Sequence, residues 1–478
     1  MKKTFMTAMP DHAGAFLKAD RCLSRLGLNI TRVSYNKAVD AHMLFIEVEG
    51  CEESLQLAQL ELSELGYLTE RNRNSGVILF EFKLKNEPGA LYPVTKLVEN
   101  FGFNISYMSY AQSEDEYQRF KMGVFIEDPK ALSDFMHRAS EICPVKVLNY
   151  DKSEKVLDNT VFYLSFANEI SEKMGFDDRT KNRLVVNANR VMQVLDEQGN
   201  PPYKTFEYIA KFADYIHKGK GEGYLPRITR LQTEKGMEIL LIEPPVGSNT
   251  AVLMLSDRLL VCDGGFPCYR EELLSVLRRE IPDFDDRKKE IFLSHGDVDH
   301  VGLCDIFDKV HLTANCYENF RRELDMEGAY REKNPLHAPY VKISKILSDY
   351  ETPNAKEFCI IGTKNEPAQP LQYAGQMRVG ELDFAVYDGK GGHVLGEAVY
   401  IEPNHKIAFT GDVLVNLKNF IPEQAKFNRL APYLMTSVDT DPATAKAERE
   451  AFSQLLPPGT WQVFGGHGGV MTFDVPYK

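Results

Sequence analysis

Side chains that can bind metal ions follow several apolar, strand-like runs in the second half of this chain. The densest group is LSHGDVDHVG at 293–302, where two histidines and two aspartates lie within six residues. Asp263 follows RLLVC, Asp412 follows KIAFTG, His467 follows WQVFGG, and His393 lies in GKGGHVLGEAVY. Alternating strands and helices form layered α/β domains, in which loops at strand ends carry functional side chains. The pattern therefore predicts an α/β domain from about residue 224 onward whose loops bring these side chains together.

The order of these motifs resembles that of the metallo-β-lactamase superfamily over residues 224–478. The family pattern has an aspartate after an early strand, H-x-H-x-D-H, a later histidine, an aspartate in TGD and a histidine in a Gly-His-Gly loop. All of these are present in order, and one differs, because Asp297 changes the second motif to H-x-D-x-D-H. The resemblance implies an αββα fold and a metal-dependent enzyme.

The resemblance also implies which residues bind two divalent metal ions. The first ion would be held by His295, Asp297 and His393, the second by Asp299, His300 and His467, and both by Asp412. Asp263 is expected to hydrogen-bond to a ligand and orient it. Histidine ligands suit zinc, whereas a carboxylate in place of an imidazole favours iron or manganese. Zinc and iron therefore stay open, with manganese third, and in an alternative interpretation Asp297 disables the first site.

The reaction expected of such a site is hydrolysis. Two metal ions about 3.5–4 Å apart lower the pKa of a shared water molecule toward ~7, and the resulting hydroxide attacks a carbonyl carbon or a phosphorus. The sequence has neither G-x-S-x-G nor a glycine-rich phosphate loop, so no serine nucleophile is expected. Asp299 and Asp412 are the predicted catalytic residues, and Asp299 can also accept a proton. The prediction is a hydrolase of a small ester, thioester, lactone or phosphoester.

Three other functions are compatible with the same residues. Family members with a carboxylate at the second motif position include di-iron proteins that reduce dioxygen or nitric oxide, usually with a flavin domain that has no counterpart in this sequence. A ligand sensor without enzymatic activity would use its metal structurally. A phosphodiesterase acting on nucleic acid is disfavoured by the net charge of −13, because nucleic-acid binding relies on basic surfaces.

The first 150 residues contain an internal repeat. HAGAFLKADRCLSRLGLNITRVSY (12–35) aligns with EPGALYPVTKLVENFGFNISYMSY (87–110) at a constant offset. Each copy predicts a β-α-β-β-α-β module with its helices on one face of an antiparallel sheet. The run PGAL followed by GFNI resembles the ACT domain, a ferredoxin-like module that commonly binds amino acids or similar small effectors.

The ACT resemblance implies a regulatory ligand near the loop after the first strand of each copy. The candidate effector-binding residues are Asp11, Gly14, Asn29, Asn86, Gly89 and Asn104. In the alternative interpretation the modules only assemble the chain. A homo-oligomer is expected in either case.

Apolar residues at helical spacing fill the segment that follows. Phe162, Phe166, Ile170 and Met174 form one stripe, and two more stripes lie between residues 184 and 216. Such spacing predicts amphipathic helices with one buried face. The predicted organisation is therefore two ACT-like domains at 1–74 and 75–150, a helical connector at 151–223 and a metallo-β-lactamase-like domain at 224–478.

The composition indicates in which cellular compartment the protein is expected and which partners it is expected to bind. The eight cysteines are scattered without a C-x-x-C pair, which predicts reduced thiols in a cytoplasmic protein. The N-terminus lacks a long apolar core of the signal-peptide type, and no run of about 18 apolar residues predicts a membrane span. The expected partners are a small-molecule substrate and an amino-acid effector, with no nucleic acid and no membrane.

Overall fold

The computed structural model describes most of the chain and divides it into two compact units. The described residues are 2–8, 14–36, 43–65, 77–111, 116–125, 129–148, 166–198, 202–334, 337–430 and 438–477. One unit comprises residues 1–171 and 177–202, and the other comprises residues 172–176 and 203–478. All eight cysteines are free thiols. Among the described helices, none combines the length and the apolar character that crossing a membrane requires.

The first unit contains one seven-stranded sheet to which both repeats contribute. Its strands are β1 (Lys2–Ala8), β2 (Asn29–Asn36), β3 (Met43–Glu49), β4 (Val77–Lys85), β5 (Asn104–Ala111), β6 (Tyr117–Phe125) and β7 (Val145–Leu148). Their order is β1-β3-β2-β5-β6-β4-β7, and every neighbouring pair is antiparallel. Because β2 pairs with β5, the two repeats share a continuous sheet.

Four helices accompany this sheet, two from each repeat. They are α1 (Ala15–Arg25), α2 (Glu52–Glu64), α3 (Tyr92–Asn100) and α4 (Pro129–Ile142). The second repeat therefore has the predicted β-α-β-β-α-β order, and its strand order β5-β6-β4-β7 is that of a ferredoxin-like module. In the first repeat the described elements run from β1 to α2, and residues 66–76 lie outside the described part. The relationship of the modules to ACT domains stays a prediction.

Three helices follow where the apolar stripes predicted them. They are α5 (166–174), α6 (Asp178–Gln198) and α7 (Pro202–Lys218), and Phe162 lies outside the described residues. Helix α6 packs within the first unit, where the Arg32 guanidinium donates to Gln193 Oε1 at 2.9 Å and Arg190 pairs with Glu47. From Tyr203 onward α7 belongs to the second unit. The connector boundaries at 151 and 223 stay a prediction.

The second unit is built on two sheets. The first has the order β14-β13-β12-β11-β10-β9-β8 and the second the order β15-β16-β17-β18-β19-β20. The strands of the first sheet are β8 (Arg227–Gln232), β9 (Glu238–Glu243), β10 (Thr250–Met254), β11 (Arg258–Cys262), β12 (Lys288–Phe292), β13 (Lys309–Thr313) and β14 (Glu357–Ile361). Those of the second are β15 (Leu371–Val379), β16 (Leu382–Gly389), β17 (Ala398–Glu402), β18 (Ile407–Gly411), β19 (Gly459–Gly465) and β20 (Met471–Val475).

The two sheets enclose the main core of this unit, and helices cover them. Aromatic rings meet between the sheets, with centroids 4.7 Å apart for Phe292 and Tyr400. On the opposite face of the second sheet, buried Trp461 packs with Phe452. The helices are α8 (Arg270–Glu280), α9 (Ala314–Leu324), α10 (Ala338–Leu347), α11 (Pro422–Asn428) and α12 (Pro442–Leu455). Helix α9 contacts β13 and β14, and α12 carries Phe452, so helices flank both sheets.

Asp20 makes the stability of the first unit depend on pH. Its side chain is 1% exposed on α1, and it accepts a hydrogen bond of 3.0 Å from the Thr95 hydroxyl on α3. Burial raises the pKa of Asp20 to about 6, although hydrogen bonds from Thr95 and Ser24 act in the opposite direction. An acid whose pKa is raised by folding stabilises the fold fully below its unfolded pKa, and this stability is lost as pH rises through 6.

We therefore expect Asp20→Asn to stabilise the protein more at pH 8 than at pH 5, because asparagine keeps the shape of the side chain without its charge. The gain in free energy of unfolding at pH 8 should be about 1–3 kcal/mol. Thermal denaturation of the full chain at both pH values measures the difference. The exposed Asp134 on α4 provides the control, Asp134→Asn. A change in melting temperature of equal size at the two pH values would contradict the raised pKa of Asp20.

Candidate metal centre

The seven predicted metal ligands come together in the second unit. Each of three groups has ligand atoms within 4.8 Å of one another: His295, Asp297 and His393; Asp299, His300 and His467; and His295, His300 and Asp412. The four histidine side chains are at most 8% exposed. The sites predicted for two ions are therefore adjacent, and they share the region around Asp412.

Parallel strands explain why residues so far apart in sequence meet. Strands β11 and β12 are parallel, and so are β18 and β19, so the carboxyl ends of each pair lie side by side. Asp263 follows β11, residues 295–300 follow β12, Asp412 follows β18, and His467 lies just beyond β19. A sheet of this kind places the loops after its parallel strands at one edge, which is where binding sites form in α/β folds.

Gly466 allows the loop that carries His467 to approach the other ligands. A Cβ atom on Gly466 would lie 2.1 Å from Asp412 Oδ1 and 3.0 Å from His300 Cε1. Its backbone N–H donates to the carbonyl of Gly411 at 2.6 Å. Only glycine avoids this clash, so the glycine directly before His467 is explained by close packing around Asp412.

Asp412 lies between the two groups of ligands. Its Oδ1 is 3.7 Å from His300 Nε2 and 3.5 Å from His467 Nε2. Its Oδ2 is 3.4 Å from His393 Nε2. The backbone N–H of Asp412 donates to Glu397 Oε1 at 2.7 Å, which anchors the start of the loop. One carboxylate therefore faces both groups, as a bridging ligand must.

The donor atoms fit a divalent transition metal. Among the described residues, His295 Nε2, His300 Nε2 and Asp412 Oδ1 are buried without a hydrogen-bond partner. Buried polar atoms are nearly always paired, because leaving one unpaired costs about 1–3 kcal/mol. Three such atoms aimed into one cluster are explained by a metal ion that they would bind. Imidazole nitrogen and carboxylate oxygen are ligands that zinc, iron and manganese accept.

Asp263, which the sequence predicted to support the centre, hydrogen-bonds to the start of the loop that carries four candidate ligands. Its Oδ1 accepts the backbone N–H of Ser294 at 2.8 Å, and its Oδ2 accepts the Ser294 hydroxyl at 2.7 Å. The same Oδ2 lies 2.9 Å from His300 Nδ1, on the ring edge opposite Nε2. A partner at Nδ1 selects the tautomer whose Nε2 is free to bind a metal. Asp263 has a φ of 55°, a left-handed conformation that few residues other than glycine adopt.

Two further partners of the histidines were missed by sequence reasoning. His393 Nδ1 lies 3.1 Å from Asp439 Oδ1, and His467 Nδ1 lies 3.0 Å from the carbonyl oxygen of Gly247. Asp439 belongs to no recognisable motif, so nothing in the sequence marked it. A backbone carbonyl leaves no sequence signal at all. Both contacts nevertheless orient Nε2 of their histidine toward the cluster.

Carboxylates dominate the electrostatics of the centre. Burial disfavours the charged form of His393, and the charge of Arg331 adds to this, but nearby carboxylates, with Glu397 foremost, raise its pKa to about 10. Burial acts to raise the pKa of Asp412, but the neighbouring His467 and His300 hold it well below its usual range. Carboxylates therefore favour positive charge at His393, whereas burial and the charge of His300 lower the pKa of His295.

Arg331 is a cation in this centre that sequence reasoning did not identify. Its Nε donates to both carboxylate oxygens of Asp297, at 3.0 and 2.9 Å. Its Nη2 lies 2.7 Å from Asp297 Oδ2 and 2.9 Å from His393 Nε2. Burial acts to raise the pKa of Asp297, but the Arg331 guanidinium holds it well below its usual range. A guanidinium therefore contacts two of the residues predicted to hold the first ion.

The centre opens into a largely apolar cavity of about 810 Å³. Rings from three separate segments line it, with centroids 5.3 Å apart for Phe212 and Phe427 and 6.3 Å apart for Phe266 and Phe427. The segment between His300 and His393 contributes further wall residues, among them Asn319, Tyr330, Arg331, Tyr340 and Val341. Asp297, Asp299, His393, Asp412 and His467 lie in the same cavity. The predicted ligands are therefore accessible to a molecule bound against apolar walls.

The candidate effector residues that the structure describes belong to the first unit. The surroundings of the two glycines among them differ. Gly14 and Gly89 precede α1 and α3 with φ values of 79° and 83°. A Cβ atom on Gly14 would lie 2.8 Å from Glu99 Oε1, whereas one on Gly89 would meet nothing closer than Ser24 Oγ at 3.9 Å. The others are Asn29 at the start of β2, Asn104 at the start of β5, Asn86 after β4, and Asp11, which lies outside the described residues. Effector binding stays a prediction.

Comparison with known sequences finds no match. None of the protein-family models matches this chain. None of the curated proteins is similar to it in sequence.

Comparison with solved structures finds neighbours with the metallo-β-lactamase fold over about half of the chain. The crystal structure of the BLEG-1 B3 metallo-β-lactamase is 20% identical and covers 49% of this chain and 93% of its own, with a TM-score of 0.31. A flavo di-iron protein mutant from Thermotoga maritima is 15% identical and covers 52% of this chain and 58% of its own, with a TM-score of 0.33. A structural neighbour outside this group is aspartate kinase from Synechocystis, which is 12% identical and covers 31% of this chain and 28% of its own, with a TM-score of 0.25.

Proposed function

We propose that this chain is a metal-dependent hydrolase whose substrate is an ester, thioester or lactone with an apolar group. The observation that supports the proposal is the convergence of four histidines and three aspartates at the wall of an apolar cavity. Three of their donor atoms, His295 Nε2, His300 Nε2 and Asp412 Oδ1, are buried without a hydrogen-bond partner in the part of the chain that the structure describes. His295, Asp297 and His393 would hold one ion, Asp299, His300 and His467 the other, and Asp412 both. Zinc and iron suit this mixed set, with manganese third.

The chemistry of the proposed reaction divides between the metal and the protein. A bound divalent metal supplies Lewis acidity and lowers the pKa of a coordinated water molecule toward ~7. Asp412 orients and neutralises the centre from between the two groups of ligands. Asp299 would accept a proton from water, and its support is a side chain that is 17% exposed and lines the cavity. Asp263 and Asp439 keep the histidine rings in the orientation that ligation needs.

The cavity lining supports an apolar acyl group over a compact, highly charged substrate. Phe212, Phe266 and Phe427 form one wall, and Lys345 at another wall is neutralised by Glu332 at 2.6 Å and Glu323 at 3.2 Å. Burial of each methylene group against such walls stabilises a complex by about 0.8 kcal/mol. Phosphoesters are therefore a less favoured substrate class than carboxylic esters and thioesters.

We further propose that the first unit regulates this activity through an amino acid or a similar effector. Its support is the ACT-like repeat and the ferredoxin-like topology of the second copy. A homo-oligomer assembled through these modules would have the same sequence features. Rate measurements with and without amino acids separate regulation from assembly alone.

The test begins with metal analysis of the purified chain. It continues with p-nitrophenyl esters from acetate to decanoate, a thioester, a lactone and bis-p-nitrophenyl phosphate, each with and without a mixture of amino acids. We expect kcat/KM to rise about three- to fourfold for each added methylene until the cavity is full. Removal of metal by a chelator should abolish the activity, and zinc or iron should restore it.

A matched pair of variants checks the role of the cavity. Phe427→Ala should weaken the preference for long acyl chains, whereas Leu324→Ala, at a side chain that is 59% exposed on α9, should not. Hydrolysis that persists in metal-free protein would overturn the proposal. An iron-loaded protein that consumes dioxygen or nitric oxide and cleaves none of the substrates would favour the di-iron redox alternative.

A further inference from the structure

The two groups of metal ligands differ in one respect that the sequence did not show. Asp297 and His393 are already in contact with a cation, since the Arg331 guanidinium donates to both oxygens of Asp297 and its Nη2 lies 2.9 Å from His393 Nε2. In the described part of the chain, the ion pairs of Asp299 are formed with His300 and His467 alone. The guanidinium therefore lies at only one of the two sites.

Arg331 is held firmly in this position. Its side chain is 11% exposed, and its Nη1 donates to the carbonyl oxygen of Val438 at 2.8 Å. The adjacent Glu332 accepts an ion pair of 2.6 Å from Lys345 of α10, which fixes the short helical turn Tyr330–Lys333. The fork of a guanidinium matches a carboxylate in a two-bond geometry that a single ammonium group does not reproduce.

From this geometry we propose that Arg331 is an internal competitor of one metal ion. An ion bound by His295, Asp297 and His393 needs the carboxylate oxygens of Asp297 that the guanidinium now contacts, so Arg331 must withdraw from Asp297 and His393 when that ion binds. The positive charges of the guanidinium and of the metal ion would also repel each other at such a short separation. No guanidinium has to be displaced from the site of Asp299, His300 and His467, so this site binds its ion more tightly. Arg331 thus determines the difference in metal affinity between the two sites.

This inference rests on the proposed metal dependence, but its test measures metal affinity and not hydrolysis. Zinc is titrated into metal-free full-length protein in competition with a chromophoric chelator, and the zinc content after dialysis is measured by mass spectrometry. The wild-type chain should show a tight step and a weaker one. In Arg331→Met the weaker step should become at least tenfold tighter, and the tight step should change by less than threefold.

Three further variants make the result specific. Arg331→Lys keeps the charge without the fork, so its weaker step should lie between those of the wild type and Arg331→Met. Asp297→Asn should remove the weaker step and leave the tight one, which assigns that step to the proposed site. Arg278→Met removes an arginine that is 51% exposed and pairs with Asp285, and it should change neither step. Circular dichroism melting of each variant checks that the fold is retained.

The outcomes separate this inference from the proposed function. Equal zinc affinities in the wild type and Arg331→Met would overturn the inference and leave the metal-dependent hydrolase intact. A change of the same size in Arg278→Met would also overturn it, since the effect would then be one of net charge. Zinc binding to neither protein would overturn both proposals.

Discussion

Asp412→Asn should reduce metal binding and hydrolysis together, with kcat/KM falling by about 10³-fold or more. Replacement of residues that only support a metal ligand already costs about 10- to 100-fold in affinity or activity. Asp412 lies within 3.7 Å of three histidine nitrogens that belong to both groups of ligands, so its loss affects both sites. Asparagine keeps the volume of the side chain but removes the negative charge that offsets two cations. Metal content and initial rates on the best substrate of the ester panel measure the effect.

The control for Asp412 is an aspartate of the same unit outside the centre. Asp308 is 76% exposed and pairs with Lys356 at 2.8 Å, so Asp308→Asn should retain the metal content and the rate of the wild type. An Asp412→Asn protein as active as the parent would remove the basis of the proposed function. Loss of activity with full metal content would show that Asp412 acts on the substrate and not as a ligand.

Asp263→Asn should lower metal affinity and kcat/KM by about 10- to 100-fold while leaving the fold intact. Asparagine tolerates the left-handed backbone at this position, where φ is 55°, and its carbonyl oxygen can replace one of the two acceptors. The asparagine side chain has one acceptor oxygen, so it cannot accept hydrogen bonds from the Ser294 backbone, the Ser294 hydroxyl and the His300 ring together, as a carboxylate does. The ring of His300 therefore loses its charged partner. Zinc titration and thermal denaturation of the same samples measure affinity and stability.

The variant Asp263→Ala distinguishes the role of Asp263 in orienting His300 from its role in stabilising the fold. Alanine leaves the Ser294 N–H and the His300 ring without their buried acceptor, which costs about 1–3 kcal/mol for each unpaired group. It also places a Cβ without a stabilising side-chain contact in a left-handed conformation. We expect a lower melting temperature in Asp263→Ala than in Asp263→Asn, with metal affinity reduced in both. A metal affinity equal to that of the wild type in Asp263→Asn would refute the orienting role.

Much of the candidate centre was predictable because its residues lie in short loops directly after strands. The pattern LSHGDVDH places four candidate ligands within one loop, and an apolar run before each of the other motifs marks the strand that carries it. The position of Asp263 beside His300 was predictable for the same reason. The apolar stripes likewise predicted the helices α5 to α7, but the division of those helices between two units depended on contacts such as that of Arg190 with Glu47.

Sequence alone thus determined the identity, the order and the strand-end positions of the seven candidate ligands and of Asp263, because hydrophobic periodicity and short motifs are local properties of a chain. Only the tertiary structure decided which groups surround them. Arg331 reaches Asp297 across 34 residues, and Asp439 reaches His393 across 46, and neither lies in a motif. Long-range packing sets such contacts, and it brings a guanidinium to one group of candidate ligands and an apolar cavity to both.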